Sequence, residues 1–147
     1  MRGYKKAASR RARETAIDLP CPFERALLSR RVVCFKARKL LLAEREAISC
    51  SEPEANVRCK VFHEALHQNA RFALHIDPNQ PWPFGKEIRA QCGGVIGLKE
   101  ALGHGEEMEA DTAVLVTQGI EQFGAIDRFP YSAIMRAVVH YEPRRRR

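Results

Sequence analysis

The spacing of apolar residues along the chain predicts helices almost throughout. The clearest one follows Ser51-Glu52-Pro53-Glu54, where a Ser cap, a proline in the first turn and a Glu three residues after the Ser form a capping box. Beyond it, apolar residues recur mostly at three- and four-residue steps as far as Ile76, which is the period of an amphipathic helix. A helical run also connects Cys21 to Cys34, and Lys36–Ser49 is rich in strong helix formers.

Prolines and glycines divide the second half of the chain into further helices. Three prolines lie within residues 77–83, and they end the preceding helix because each removes a backbone donor. Helical patterns then cover Lys86–Leu102, Glu107–Phe123 and Tyr131–Tyr141. The sequence therefore predicts an all-α fold, a single helical bundle of about five or six helices.

Length and composition fit one domain of that kind. The chain has 147 residues, of which 45% are apolar, and single domains typically run to about 100–200 residues. No apolar run approaches the ~18–20 residues of a membrane-spanning helix, and the N-terminus lacks the apolar stretch of a secretory signal. We therefore expect a cytoplasmic protein with no membrane span, in which thiols stay reduced.

The net charge of +7 is concentrated at the two ends of the chain. Residues 1–13 hold six basic groups and no acid, and four arginines end the chain, whereas residues 14–142 carry fifteen bases and eighteen acids. This pattern predicts a basic disordered arm over residues 1–16, a helical cysteine-containing domain over residues 17–142 and a basic tail over residues 143–147. Basic arms can bind phosphate groups without sequence preference, so a nucleic-acid-binding regulatory module is one alternative function.

Four of the five cysteines fall near the ends of predicted helices. They are Cys21, Cys34, Cys50 and Cys59. Because the ends of consecutive helices with short loops converge, we expect the four thiols to meet, and thiolates suit iron–sulfur clusters and zinc. The paired short spacings of zinc knuckles and ferredoxins are absent, so the wide gaps favour a [4Fe–4S] cluster in a helical domain. The alternative is that they are packing residues, because free Cys packs like a small hydrophobe.

A cluster held in this way predicts a protein of electron transfer, of redox sensing, or an accessory of a larger redox complex. With one cluster and no second cofactor site, the chain fits a partner of another redox protein better than a free-standing catalyst, and whether it is an enzyme stays open. The glycines Gly93, Gly94 and Gly97 are interpreted as helix-packing positions. Cys92 beside them is interpreted as a packing thiol.

The segment His63-Glu64-Ala65-Leu66-His67 matches H-E-x-x-H, which predicts an alternative function. On a helix the two His side chains share one face and could bind zinc, with Glu64 as general base, as in a zinc-dependent hydrolase or metallopeptidase. No third ligand is fixed by the pattern, and the candidates are His75, Glu87 and Glu100. Cys59 lies four residues before His63, so His63 could instead lie beside the metal of the cysteines, as a ligand or as a hydrogen-bond donor to one.

Four strings of the sequence carry a resemblance to other proteins. They are CPFERALLSRRVVC, AEREAISC, NARFAL and PFGKEIRAQCGGVIGL. Over roughly Cys21 to Leu98 they resemble uncharacterised small bacterial proteins with four widely spaced cysteines, of an iron–sulfur type. The resemblance names no activity. It implies that the cysteines and the QCGG segment belong to one module, and that His63 and His67 need not be part of its defining pattern.

Overall fold

The structure is a computed structural model that describes residues 19–143. The predicted basic arm and the four terminal arginines lie outside the described residues. In chain order the elements are α1 (Glu24–Leu28), β1 (Ala37–Leu42), β2 (Arg45–Cys50), α2 (Pro53–Ala73), α3 (Phe84–Ile88), a π-helical segment (Arg89–Gly93), α4 (Gly94–Ala101), α5 (Thr112–Phe123), a 3₁₀ turn (Ile126–Arg128) and α6 (Tyr131–His140). Within residues 19–143, no helix is both long and apolar enough to cross a membrane.

The all-α prediction is wrong, because the predicted helix Lys36–Ser49 is an antiparallel hairpin. Strands β1 and β2 pair from Ala37↔Cys50 to Leu42↔Arg45, and Ala43, with φ 55°, begins the two-residue turn. Helix propensity is a weak preference that tertiary contacts override. Here the override comes from the segment before α1, which hydrogen-bonds along the free edge of β2. The fold is therefore mixed, with a two-stranded sheet against mainly helical elements.

Two contacts show how that segment holds β2. The backbone N–H of Cys21 donates to the carbonyl of Ile48 at 3.1 Å, and the N–H of Cys50 donates to the carbonyl of Leu19 at 2.7 Å. A carboxylate oxygen of Glu24, in the first turn of α1, accepts from the N–H of Ile48 at 2.8 Å. These bonds satisfy the edge of β2 and place the start of α1 beside the end of β2.

The helix boundaries before α2 also differ from the prediction. Helix α1 ends at Leu28, and Arg30 has a positive φ of 65°, so Cys34 lies in a loop instead of at a helix end. Helix α2 begins at Pro53, but its cap residue is Glu52 and no side chain caps it, so the predicted capping box does not form. The Glu52 carboxylate instead pairs with Lys36 at 2.6 Å and ties the start of α2 to the hairpin.

Helix α2 is the centre of the core. Its buried positions include Cys59, Phe62, Leu66 and Ala70, which recur at three- and four-residue steps along one face. Phe62 stacks on Phe23 and meets Phe129 edge-on. Helices α5 and α6 and the π-helical segment pack against α2, so one core joins both halves of the chain.

Residues 84–101 form one continuous helix that is interrupted by the π-helical segment. An added Cβ at Gly93 would lie 2.7 Å from the Cα of Val138, and one at Gly94 would lie 2.5 Å from a methyl of Leu66. An added Cβ at Gly97 would lie 3.0 Å from the backbone of Ile134. These approaches confirm the interpretation of the glycines as packing positions, and they fix the helix tightly against α2 and α6.

Candidate functional site

The four predicted ligand cysteines line one cavity, which we call the cysteine cavity. Cys21 precedes α1, Cys34 lies in the loop before β1, Cys50 ends β2 and Cys59 lies in the second turn of α2. The thiols therefore converge, but from a loop, a strand end and the body of a helix instead of from helix tips. All four are free thiols, three of them half-buried and Cys59 buried.

The sulfur spacing in this cavity is wider than a single ion requires. Four sulfurs at about 2.3 Å from one tetrahedral zinc lie about 3.8 Å apart. In the part of the chain that the structure describes, no three of these sulfurs lie within 4.8 Å of one another. The void between them is nevertheless small, with a volume of only about 10 Å³. A larger occupant therefore has to turn the thiols outward.

The walls of the cysteine cavity are mostly small side chains. They are Pro22, Ala37, Ala55, Asn56, Thr112 and Ala113. Asn56 is 1% exposed, and its amide nitrogen donates to the carbonyl of Pro20 at 3.0 Å. Its amide oxygen is buried and has no partner among residues 19–143. An unpaired buried acceptor costs free energy, so the described polypeptide leaves one hydrogen-bonding group of this wall unsatisfied.

Burial favours the protonated form of Cys21, Cys34 and Cys59. Removal from water, with smaller repulsions from the other cysteines, raises the pKa of Cys21 and of Cys59 from 9.0 to about 12. Burial also raises the pKa of Cys34, although backbone hydrogen bonds from Lys36 and Ala113 oppose the change. Metal binding in this cavity would therefore release protons, since thiolates are the ligands.

The loop that carries Cys34 is held by the start of α5. The side chain of Asp111 caps α5 by accepting from the N–H of Val114 at 3.2 Å. Its other oxygen accepts from the N–H of Phe35 at 2.9 Å. The backbone N–H of Val33 donates to Ala110 at 2.9 Å, so the loop is fixed on both sides of the cysteine.

Cys92 lies outside the cysteine cavity. It is fully buried in the core, and its sulfur lies 3.5 Å from the hydroxyl oxygen of Ser29. Its position on the π-helical segment faces the packed interior of the molecule. The structure therefore places it as a packing thiol.

A second group of donor atoms is formed by His63, His67 and Glu87, in what we call the histidine cleft. The Nε2 of His63 lies 2.8 Å from one oxygen of Glu87, and the Nε2 of His67 lies 2.5 Å from the other. The two His residues lie on one face of α2 at i and i+4, and Glu87 reaches them from α3. Glu87 is thus the one candidate third ligand that the structure brings to the pair.

The other H-E-x-x-H candidates lie elsewhere. Glu64 is exposed and does not line the histidine cleft. His75 and Glu100 are also exposed and belong to no donor group among the described residues. His63 does not join the cysteines in lining their cavity. A hydrolase would need Glu64 at the metal, and the structure does not bring it there.

Side chains around the histidine cleft orient its donors. His67 stacks on Trp82 with ring centres 3.9 Å apart, and Phe23 meets His63 edge-on at 5.6 Å. The amide nitrogen of Gln91 donates to Glu87 at 2.7 Å, while its amide oxygen accepts from the backbone N–H of Ala26 at 3.0 Å. Each donor atom therefore has a fixed direction before anything binds.

The Glu87 carboxylate is charged in spite of being 8% exposed. Burial by itself would raise its pKa, but hydrogen bonds from His63, His67 and Gln91 outweigh burial and hold the pKa well below its ordinary value. The cleft therefore presents a fixed negative charge between two imidazoles.

The cysteine cavity and the histidine cleft share a wall. Cys21 and Pro22 line both, and the cleft, with a volume of about 300 Å³, is also lined by Glu24, Arg25 and Trp82. Sequence reasoning missed Trp82 and Gln91. Gln91 could have been found, because it follows Glu87 by four residues on one helix face. Trp82 carries no such signal, since it lies in a proline-rich loop.

Comparisons of the chain with family models, with curated proteins and with solved structures found no match. The resemblance to small cysteine-containing bacterial proteins stays a prediction.

Proposed function

We propose that this protein binds a [4Fe–4S] cluster through Cys21, Cys34, Cys50 and Cys59, and that it serves electron transfer, redox sensing or a larger redox complex. One observation carries the proposal: four thiols from four separate segments line one cavity. We place the protein in the cytoplasm, where thiols are kept reduced and available to metals.

The residues around the thiols fit such a group. Iron–sulfur clusters are bound by four Cys thiolates, and the walls beside the four thiols include three alanines and Pro22. Two of the ligands lie outside helices, Cys34 in a loop and Cys50 at the end of β2. The guanidinium of Arg58 favours the thiolate form of its neighbour Cys59 and would offset part of the charge of a cluster.

A bound cluster supplies one-electron chemistry, and the polypeptide would tune it. The apolar walls exclude water from the sulfurs, and backbone N–H groups of Lys36 and Ala113 hydrogen-bond the sulfur of Cys34. Hydrogen bonds to sulfur and limited solvent exposure are two of the means by which proteins set cluster potentials. A redox protein that docks near the exposed side of this cavity would be the partner.

The test is elemental analysis of the full chain purified without oxygen from iron-replete cells. We expect broad visible absorbance and about four iron and four sulfide per chain. Cys59→Ser should lose most of this iron and the colour, whereas Cys92→Ser, which removes a thiol outside the cavity, should keep both. A colourless protein, a single zinc in place of iron, or equal loss in the two variants would contradict the proposal.

A further inference from the structure

We propose that His63, His67 and Glu87 form a second metal site, which binds one divalent transition-metal ion independently of the four cysteines. Two imidazole nitrogens and a carboxylate are the donors that catalytic zinc and non-haem iron sites use. All three donor groups offer an atom within 4.8 Å of the others. The site therefore belongs to a different chemical class from the cysteine cavity.

Both histidines direct Nε2 at the same carboxylate, each at its own oxygen. A helix that places two His at i and i+4 presents them to one point, and Glu87 closes the third side from a separate helix. A fully coordinated structural zinc needs a fourth protein ligand. Among the described residues no fourth His, Cys, Asp or Glu joins the group, so the ion would keep a position open to the cleft.

Hydrogen bonds from neighbouring groups support the ligands of this site. Gln91 donates to Glu87, and its own amide is fixed by the backbone N–H of Ala26. Metal ligands typically have such hydrogen-bonded partners, and loss of one weakens metal affinity by about 10–100-fold. Gln91 is 4% exposed, which is unusual for a glutamine with no structural task. We assign Gln91 as the positioning residue of this site.

The charge of the site and its access to solvent also favour a bound cation. The Glu87 carboxylate brings a negative charge to the site, and its residue is only 8% exposed. A cation satisfies it, and the cleft of about 300 Å³ opens the path for entry. Trp82 lines the same cleft, and its indole N–H is buried without a partner among residues 19–143.

The test uses zinc chloride as the probe on the full chain, stripped with a chelator and titrated by calorimetry. Wild type should bind one zinc that Glu87→Gln weakens by at least about 100-fold, since a lost ligand exceeds the effect of a lost outer partner. Gln91→Leu should weaken it by about 10–100-fold. His140→Ala, which removes an exposed histidine outside the cleft, and Cys59→Ser should both retain this zinc.

Folding is checked in each variant by far-UV circular dichroism and by the thermal midpoint without zinc. Zinc should raise the midpoint of wild type and of Cys59→Ser but not that of Glu87→Gln. Equal zinc stoichiometry and affinity in wild type and Glu87→Gln would overturn the inference and leave a hydrogen-bonded structural triad. Loss of the zinc only in the cysteine variant would assign it to the cysteine cavity. Failure of the iron–sulfur proposal would not affect this result.

Discussion

The cysteine cavity and the histidine cleft lie on two sides of Cys21-Pro22, yet they prepare their donors in opposite ways. The cavity is the more enclosed of the two and is mostly apolar, so Cys21 and Cys59 keep their protons until a metal displaces them. The cleft is open, and hydrogen bonds keep its buried carboxylate charged. Closure suits a group that must be shielded from water, whereas access suits an ion that exchanges. The difference shows that donor type and solvent access, and not position in the fold, separate the two sites.

The largest effect that would separate the two regions is expected from Gly93→Ala. The new Cβ would meet the backbone of Val138 at 2.7 Å and would push the helix of residues 84–101 away from α6. We expect the free energy of unfolding to fall by about 2–3 kcal/mol, because backbone cannot move aside as a side chain can. Urea unfolding measures this. Zinc affinity of the cleft should fall too, since this helix carries Glu87, while no residue of it lines the cysteine cavity.

Gly85→Ala is the matched control on the same helix. An added Cβ there meets nothing within 4 Å. The substitution should leave stability unchanged or raise it by up to about 1 kcal/mol, because Ala favours a helix over Gly. Equal destabilisation by the two substitutions would contradict the packing explanation.

A smaller effect, confined to the cysteine side, is expected from Asp111→Ala. The change removes the cap of α5 and the acceptor that holds the loop of Cys34. The free energy of unfolding should fall by about 1–2 kcal/mol, the usual cost of losing an N-cap. Iron retained by the purified protein should fall with it, whereas zinc binding at the histidine cleft should not change.

Glu109→Ala removes a carboxylate from the same loop and serves as the charge control. Glu109 is exposed, and its side chain holds neither the cap nor the Cys34 loop. It should leave stability and iron content as in wild type. If it reproduced the loss seen in Asp111→Ala, the effect would be one of charge and not of the two hydrogen bonds.

The smallest effect is a pH dependence of the metal-free, reduced protein. The pKa of Cys21 and Cys59 is raised from 9.0 to about 12 on folding, so above pH 9 the unfolded chain loses protons that the folded chain keeps. The free energy of unfolding should therefore be highest below pH 9 and fall on the order of 1 kcal/mol per pH unit for each thiol up to about pH 12.

Urea unfolding at pH 8 and pH 10.5 tests this dependence. In Cys21→Ala the decline should be shallower than in wild type, because one of the two thiols no longer contributes. Burial also raises the pKa of Tyr131, and this contribution is the same in both proteins. A decline of the same slope in both proteins would show that folding does not raise the pKa of Cys21 in this way.

The sequence predicts the helix of α2 and the packing glycines well, because both depend on local signals. The proline at its first turn and the recurring apolar positions mark α2, and the close approaches of Gly93 and Gly94 need only small residues at the right spacing. The sequence predicts Glu87 as one of the candidate third ligands, but it does not indicate which candidate joins the two histidines. Glu87 joins the histidines because α3 lies beside α2, and no local sequence pattern indicates that position.

The hairpin could not be predicted in the same way. Its segment consists of good helix formers, and its strands exist because Glu24 and residues 19–21 hydrogen-bond to the edge of β2. Those contacts are separated from β2 by more than twenty residues, so propensity cannot register them. The sequence also predicts that the four cysteines approach one another, but it places them at helix ends. In the structure Cys34 lies in a loop and Cys50 lies at the end of a strand.

Because of the π-helical segment between α3 and α4, the helix of residues 84–101 turns one face toward its neighbours before that segment and a different face after it. A π turn accommodates one residue more than an α turn, so it shifts the angular phase of everything that follows it. Upstream of it Glu87 points to the histidines, and downstream of it Gly97 lies against Ile134. A regular helix of this sequence could satisfy only one of these neighbours. A deletion of one residue within Arg89–Gly93 would therefore either move Gly97 away from Ile134 or turn the Glu87 carboxylate away from the histidines.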